Sequence, residues 1–396
     1  MVQLGLKENW KQFALLVIIN AFVGGMIGLE RSILPQLAEQ AFGIASKTAI
    51  LSFIITFGIT KAIVNYFTGK LANLLGRKKL LIIGWLFALP VPFLLIYAPN
   101  WSWIVTANVL LGINQGLTWS TAVMMKIDLV GDKNRGLAVG INEFAGYLSV
   151  GVVAFLTGYI ASHYGVRPYP FYLGIGFSIV GLLLSVFFVK DTRQHVSVEN
   201  EASVIPLLVS PFWDTTLRHN SLSAVTQAGL VNNLNDGMIW GLLPLLLFAK
   251  HFTSAQIGIL TAIYPSVWGL SQLVTGRFSD IYSKKGLLFW GMLLQALGII
   301  GLIWANTFTH FALIGTALGF GTALVYPTFL SAIADYTPPV QRAESLGTFR
   351  FWRDMGYALG ALLTGVIADY FGLMMSIFSV GVLTALSAFV VLFRMK

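Results

Sequence analysis

Residues 157–165 read Thr-Gly-Tyr-Ile-Ala-Ser-His-Tyr-Gly, and 207 positions later residues 364–372 read Thr-Gly-Val-Ile-Ala-Asp-Tyr-Phe-Gly. The same separation relates Thr-Gly-Lys-Leu at 68–71 to Thr-Gly-Arg-Phe at 275–278. A constant separation over that distance indicates an internal duplication, which is the sequence signature of a repeated structural unit. The chain is therefore predicted to consist of two related halves.

The composition is that of a membrane protein. Of the 396 residues, 56% are hydrophobic and 10% are charged, and the mean hydropathy is +0.78, whereas a soluble domain has about 25% charged residues. Apolar runs of about the 20 residues needed to cross a bilayer recur along the whole chain. They predict spans at 13–35, 48–69, 79–98, 102–125, 136–160, 171–189, 224–248, 257–276, 286–305, 310–333, 346–368 and 373–393.

The predicted fold class is an all-α membrane protein with twelve transmembrane helices in two pseudo-symmetric six-helix bundles. The first bundle covers residues 1–190 and the second covers residues 223–396, joined by a polar cytoplasmic linker at 191–222. If the N-terminus is inside, the cytoplasmic segments hold 18 of the 25 Lys and Arg residues, and three lie outside. Because positive loops stay in the cytoplasm, both termini are predicted to be cytoplasmic, in a bacterial or archaeal inner membrane.

The sequence argues against several classes of function. Cysteine is absent, which excludes disulfides and thiolate catalysis, and the five histidines lack the spacing that places two on one helix face. The nucleotide pattern Gly-x-x-x-x-Gly-Lys is also absent. The net charge of +9 arises in short loops between apolar runs, so it reports topology and not nucleic-acid binding. We expect no metal, no cofactor and no enzymatic activity.

The turn after span 2 carries the most recognisable motif. Gly69, Asn73 and Arg77 lie in Gly-Lys-Leu-Ala-Asn-Leu-Leu-Gly-Arg-Lys-Lys, and its counterpart runs from Gly276 to Asp280. This loop resembles that of the major facilitator superfamily, and the likeness covers essentially the whole chain. It implies two halves related by an axis along the membrane normal, which rock to expose a central site to each side in turn. The resemblance assigns a gating role to these loop residues.

The motifs depart from the superfamily at two places. The acidic position of the first loop is Asn73, so its charge-dependent lock is predicted to be weaker there than in the second half, where Asp280 is present. In span 4, Gln115 lies in a run similar to the Arg-x-x-Gln-Gly motif linked to proton coupling, but Gly112 replaces the arginine. Proton-driven drug export is thus compatible with the motifs without being indicated by them.

Ionisable residues within spans are the main clue to a site. Each costs about 2.5 to 3.5 kcal/mol or more when it faces lipid, so all must face protein or water. They lie in spans 1, 2, 5, 7 and 11 and are absent from spans 3, 6, 9 and 12, which the superfamily places at the periphery. The residues are Glu30, Arg31, Lys61, Glu143, Asp236, Arg350, Arg353 and Asp354. The charges are therefore predicted to face the interior.

Spans 1 and 7 carry two groups of polar residues. Asn232, Asn233 and Asp236 form a polar cluster with Asn235 in span 7, which either lines the cavity or satisfies itself across a helix contact. Glu30 and Arg31 are sequence neighbours that point about 100° apart, so at least one of them needs another partner. That partner is either a neighbouring helix or the transported species.

In span 11, one possible ion pair leaves a second arginine without an anionic partner. Arg350 and Asp354 are four residues apart and can pair, which leaves Arg353 in need of an anion, for which the substrate is one candidate. Lys61 in span 2 and Asp354 are predicted to form a contact between the halves that either opens in one state or is permanent. Glu143 occupies the position equivalent to Arg350 and either lines the site or pairs with the second half.

These residues lead to a functional prediction. Desolvation favours the neutral form of a buried carboxyl group, which makes Glu30, Glu143 and Asp236 the candidate proton carriers. Trp119, Trp240 and Tyr326 are candidate aromatic contacts for an organic solute, although each alone more often serves packing. We predict a proton-coupled, monomeric secondary transporter that exports amphipathic compounds, with organic-anion uptake and lipid flipping as the alternatives.

Overall fold

The computed structural model describes residues 3–130, 135–195, 208–337 and 339–396. Within those ranges it contains twelve long helical units, α1 to α12, in the order predicted. In the first half these are α1 (Trp10–Arg31, continued by Leu34–Phe42), α2 (Ser52–Leu75), α3 (Arg77–Ala88, continued by Pro90–Tyr97), α4 (Trp101–Val130), α5 (Arg135–Tyr164) and α6 (Tyr172–Phe187). In the second half they are α7 (Asn220–Ala249), α8 (Ser254–Ile281), α9 (Lys284–Gly301), α10 (Phe308–Tyr336), α11 (Pro339–Phe371) and α12 (Leu373–Arg394).

The first span is not the single helix predicted over 13–35. Its first segment ends at Arg31, and a second segment begins at Leu34. Pro35 has no N–H group to donate to the carbonyl oxygen four residues earlier, at Arg31, so one helical hydrogen bond is missing at the break. The equivalent Pro244 lies inside a continuous α7. The two halves therefore differ in the helix that opens each of them.

Helix hydropathy separates the units into two groups. Among the described residues, seven segments are long and apolar enough to cross a membrane, and they belong to α1, α3, α5, α6, α8, α10 and α12. A shorter apolar segment, Ser52–Thr68, lies in α2. Outside both sets are α4, α7, α9 and α11, of which α7 and α11 carry Asp236 and Arg353 in their interiors. Buried ionisable groups lower the hydropathy of α7 and α11, whereas α1 and α5 are apolar enough although they carry Glu30, Arg31 and Glu143.

Two seams join the halves. In the first, α2 packs along α11, and in the second, α5 packs along α8. Glycines allow the backbones to approach closely in both seams. A Cβ atom on Gly58 would lie 2.7 Å from the backbone nitrogen of Ala358, and one on Gly158 would lie 2.7 Å from the Cα of Gly258. We refer to these contacts as the α2/α11 seam and the α5/α8 seam.

Candidate functional site

Asp354 is the centre of a buried charge cluster in the α2/α11 seam. Its Oδ1 lies 3.5 Å from Lys61 Nζ and 3.3 Å from Arg353 Nη1. Asn65 donates a short hydrogen bond to Oδ2, and Asn233 Nδ2 donates to Oδ1 over 3.4 Å. The predicted contact between Lys61 and Asp354 is therefore present, and one carboxylate faces two cations from different halves.

The predicted pairing of Arg350 with Asp354 is wrong. Arg350 Nη1 instead donates to Ser120 Oγ on α4 over 2.8 Å, and that hydroxyl donates to Asn65 Oδ1 over 2.5 Å. The arginine left for the carboxylate is Arg353, which also donates to the Tyr147 hydroxyl over 3.3 Å. Spacing along one helix could not reveal this outcome, because the competing acceptors come from the other half.

These side chains enclose the central space between the halves. Its volume is about 10 Å³, roughly room for one water molecule, so this conformation is closed around the site. The lining comprises Lys61, Asn65, Trp119, Ser120, Tyr147, Tyr326, Arg350, Arg353 and Asp354. Asn65 and Ser120 were missed as site residues, although Asn65 lies one helical turn after Lys61 and so shares its face.

The α5/α8 seam is closed by aromatic rings. Tyr147 and Trp268 stack with their ring centroids 3.4 Å apart and an interplanar angle of 25°. The 207-residue repeat relates Tyr147 to Asp354 and Trp268 to Lys61. Equivalent positions thus close one seam with an ion pair and the other with a ring stack.

Two predicted aromatic contacts lie beside this cluster. The Arg353 guanidinium carbon is 4.4 Å from the centroid of the Tyr326 ring, within the range of a cation–π interaction. Trp119 lies between the two seams, 5.9 Å from Lys61 Nζ and 5.1 Å from the Tyr147 ring. Both residues belong to the lining described above.

Glu143 is held within its own half. Its Oε1 accepts hydrogen bonds from Trp119 Nε1 over 3.0 Å and from Asn142 Nδ2 over 2.8 Å, while Oε2 has no partner in the described part of the chain. Lys126 donates a short hydrogen bond to Asn142 and is fully buried. Lys126 lies beyond the predicted span 102–125 but within α4, which continues to Val130.

The polar residues of α7 do not form one cluster. Asn235 donates to Gln295 on α9 over 3.1 Å, whereas Asn233 faces Asp354 and Asp236 accepts a short hydrogen bond from Tyr264 on α8. Successive residues of a helix point about 100° apart, so neighbours in sequence reach different helices. The interpretation of a single cavity-lining group was therefore wrong.

Two of the α7 groups lack full hydrogen bonding. Asp236 Oδ2 has no partner among the described residues, and neither does either amide atom of Asn232, which is completely buried. Tyr264 also bonds the Thr322 hydroxyl over 3.1 Å, which fixes the orientation of its ring. Asp236 is thus buried against a neutral donor.

Glu30 and Arg31 have separate surroundings, as the sequence predicts. Glu30 Oε1 accepts a hydrogen bond from Asn108 Nδ2 over 3.3 Å. The Arg31 guanidinium carbon lies 4.2 Å from the ring centroid of Trp240 and 5.2 Å from that of Phe57. Trp240 is therefore placed against a cation, in the contact between α1 and α7.

Gln115 does not line the central space. Its side-chain nitrogen donates to the Val23 carbonyl on α1 over 2.8 Å and to Asn114 Oδ1 over 3.2 Å. This geometry makes it a tie between α4 and α1 within the first half. The similarity to a proton-coupling motif is thus not accompanied by a position in the site.

The gating motifs form matching ion pairs in the two halves. Arg77 Nε lies 3.3 Å from Asp128 Oδ2, and Lys284 pairs with Asp335 at the positions 207 residues later. A carboxylate on α4 thus faces Arg77, which the sequence prediction overlooked. Gly276 is buried on α8. The surroundings of Gly69 and the side chains of Asn73 and Asp280 lie outside what the structure describes.

The linker reaches the ion pair at Arg77. Thr192 donates to Asp128 Oδ2 over 2.6 Å. The neighbouring Asp191 accepts hydrogen bonds from the backbone N–H groups of Lys78 and Arg193. Partial burial works in the opposite direction, but these hydrogen bonds and the Arg193 charge lower the pKa of Asp191. An ionised Asp191 therefore fixes the linker to the first turn of α3.

No three His, Asp or Glu side chains of the described residues converge on a possible metal site.

The sequence pattern of the Major Facilitator Superfamily matches residues 13–231 and 225–396. The chain belongs to the major facilitator superfamily. The first match extends into α7, and the second runs from α7 to the last residue.

Two bacterial superfamily members share 25% identity with this chain. One is the multidrug resistance protein MdtG of Salmonella arizonae, aligned over 377 residues, 92% of this chain and 90% of the relative. The other is the proton-coupled antiporter flippase LtaA of Staphylococcus saprophyticus, aligned over 378 residues, 92% of this chain and 88% of the relative. The crystal structure of the human organic anion transporter MFSD10 (TETRAN) shares the fold, with a TM-score of 0.75, 16% identity and coverage of 96% of this chain and 99% of that one. The protein is thus a multi-pass membrane transporter of this superfamily.

Proposed function

We propose that the protein exports amphipathic organic compounds in exchange for protons. The observation that carries this proposal is the closed central space, in which cations and aromatic rings from both halves and the carboxylate of Asp354 surround about 10 Å³. Buried charges of this kind mark substrate and proton pathways in membrane proteins. The names of the relatives MdtG and LtaA add support, since they denote multidrug resistance and proton-coupled antiport.

Alternating access requires both seams to loosen. Separation of α2 from α11 would break the ion pair of Lys61 with Asp354, and separation of α5 from α8 would break the stack of Tyr147 on Trp268. The substrate would enter the gap and be enclosed when the halves close again. In this proposal both termini are cytoplasmic and the working unit is a monomer.

The α2/α11 seam can be locked at its predicted extracellular end. Ser46 Oγ donates to Asp369 Oδ2 over 3.0 Å, so cysteines at these two positions are close enough to crosslink. Since the protein has no cysteine of its own, the double variant Ser46→Cys with Asp369→Cys contains no other thiol that could form a crosslink. We expect oxidation of this double variant to stop transport in proteoliposomes and reduction to restore it. Full transport with the crosslink formed would contradict alternating access, and the two single variants are the controls.

The proposed activity is tested by imposing a pH gradient on proteoliposomes. Amphipathic organic cations, anions and neutral compounds are loaded one at a time, and we expect movement of at least one class against the proton flow. Collapse of the gradient by an ionophore should abolish accumulation. Accumulation that does not respond to the pH gradient would contradict proton coupling, and movement of labelled phospholipid alone would favour a flippase.

Organic-anion transport is the second candidate. The lining carries three cationic residues, Lys61, Arg350 and Arg353, against the single carboxylate of Asp354. Such an excess of positive charge favours an anionic solute. The choice between these candidates depends on which buried cation is available to a substrate.

A further inference from the structure

Arg31 is the buried cation with the least compensation. Its side chain is 2% exposed, and its Nε, Nη1 and Nη2 atoms have no hydrogen-bond partner in the described ranges. No described carboxylate lies within salt-bridge distance of the guanidinium; the adjacent Glu30 bonds Asn108 instead. A charge buried in this way costs several kcal/mol unless it is paired. Arg31 is therefore in need of an anion.

The surroundings of Arg31 leave its edges available for hydrogen bonding. Phe57 of α2 lies 5.2 Å from the guanidinium carbon and Trp240 of α7 lies 4.2 Å from it. Ring contacts with a cation are worth about 2 kcal/mol when desolvated, and they satisfy none of the N–H groups. A planar guanidinium with free N–H groups can bind a carboxylate or phosphate through two parallel hydrogen bonds.

Arg31 lies at the boundary between the halves and beside the central site. Phe57 belongs to the first half and Trp240 to the second, so separation of the halves would uncover the guanidinium. Trp240 stacks on Tyr357 with ring centroids 5.1 Å apart and an interplanar angle of 15°. Lys61 Nζ lies 5.2 Å from the Tyr357 ring and 5.7 Å from the Phe57 ring. The same aromatic surface therefore connects Arg31 to the contact between Lys61 and Asp354.

The two halves also differ in residue type and in helix continuity at the position of Arg31. α1 ends its first segment at Arg31, whereas the equivalent Trp240 lies within an unbroken α7. With a separation of 209 residues in this helix, Arg31 and Trp240 are repeat partners that contact each other. The first half thus supplies the cation and the second half supplies the aromatic surface.

We propose that Arg31 binds the anionic head group of the transported compound, with its apolar part lying along Trp240 and Tyr357. The substrate class is then an amphipathic anion with a carboxylate or phosphate group. This inference rests on the proposed transport function and narrows it. A soluble organic acid and an anionic lipid share this chemistry, so the test must separate the two sources.

The test compares three dansyl probes with one alkyl chain and a carboxylate, a carboxamide or a trimethylammonium head group. Dissociation constants are measured with the full-length protein in phosphatidylcholine nanodiscs, by energy transfer from tryptophan to dansyl. We expect the carboxylate to bind at least about tenfold more tightly than the carboxamide, since hydrogen bonds to charged groups are among the stronger ones. Adding phosphatidylglycerol to the nanodiscs shows whether an anionic lipid competes for the site.

The deciding variant is Arg31→Met, and Arg31→Gln replaces it if the first is not recovered as a monodisperse protein. We expect the preference for carboxylate to fall to about onefold, with carboxamide affinity changed by less than about twofold. Arg167→Met is the matched control. Arg167 also lies over a ring, 5.6 Å from that of Phe42, but its guanidinium donates to the Ala98 carbonyl away from the site. The control should retain the wild-type preference.

Three outcomes would overturn the inference. They are no carboxylate preference in the wild type, an unchanged preference in the Arg31 variant, or an equal loss of affinity for all three probes in that variant. Competition by phosphatidylglycerol in the wild type, but not in the variant, would support the inference and assign the site to a lipid head group. Transport is measured separately in proteoliposomes. A carboxylate preference without transport driven by the pH gradient would sink the proposed function alone, and transport without the preference would sink this inference alone.

Discussion

Asp354→Asn is expected to destabilise the closed protein and to abolish transport. The substitution keeps the shape of the side chain but leaves Lys61 and Arg353 buried without their counter-charge. Removal of one partner from a buried ion pair costs about 3–5 kcal/mol. Part of that cost falls on the contact between the halves, because Lys61 belongs to α2 and Asp354 to α11. Because residues of α2, α7 and α11 all bond this carboxylate, its loss should loosen the packing of all three helices.

The measurement is thermal unfolding of the purified variant together with transport in proteoliposomes. Glu344→Gln is the matched control, because it also turns a carboxylate into an amide, at an exposed position of the same helix. Adding Lys61→Met to Asp354→Asn removes one of the two uncompensated cations, so stability should recover by about 1–2 kcal/mol. An Asp354→Asn protein with wild-type stability would show that this carboxylate is not required to balance the cluster.

The fold could be predicted from the sequence because its determinants are periodic. Apolar runs of bilayer length and the 207-residue repeat require no knowledge of tertiary contacts, and the structure has a helical unit at every predicted span. Boundaries were less predictable. Lys126 lies one residue beyond the predicted span 102–125 but inside α4, where its amino group bonds Asn142. Local sequence does not report such a partner on another helix.

The sequence predicted which charged residues lie in the site, but only some of the pairs that they form. The cost of exposing an ionisable group to lipid identified Lys61, Arg353 and Asp354, which do lie together between the halves. Which arginine bonds Asp354 was predicted incorrectly, since the outcome depends on Ser120 of α4 taking Arg350. Spacing on one helix gives the pairs that can form, and the neighbouring helices decide which of them do.

Proton coupling has three candidate carriers, and their surroundings differ. Glu143 accepts two N–H hydrogen bonds on one oxygen, and Glu30 accepts one from Asn108. Asp236 has only the hydroxyl of Tyr264, and its second oxygen is unpartnered among the described residues. Burial of an uncompensated charge is costly, and contact with water removes that cost. A carboxyl group that alternates between these surroundings can take up a proton and release it.

We therefore expect Asp236→Asn to uncouple transport from the pH gradient. A difference of one pH unit supplies about 1.4 kcal/mol for each coupled proton, equivalent to about tenfold accumulation. In the variant, accumulation in proteoliposomes should fall to the level without a gradient, while exchange of labelled for unlabelled substrate continues. Glu143→Gln and Glu30→Gln are the matched comparisons. If either of these abolished the pH response while Asp236→Asn retained it, the proton would be carried by that glutamate, and the single neutral donor of Asp236 would serve packing of α7 against α8.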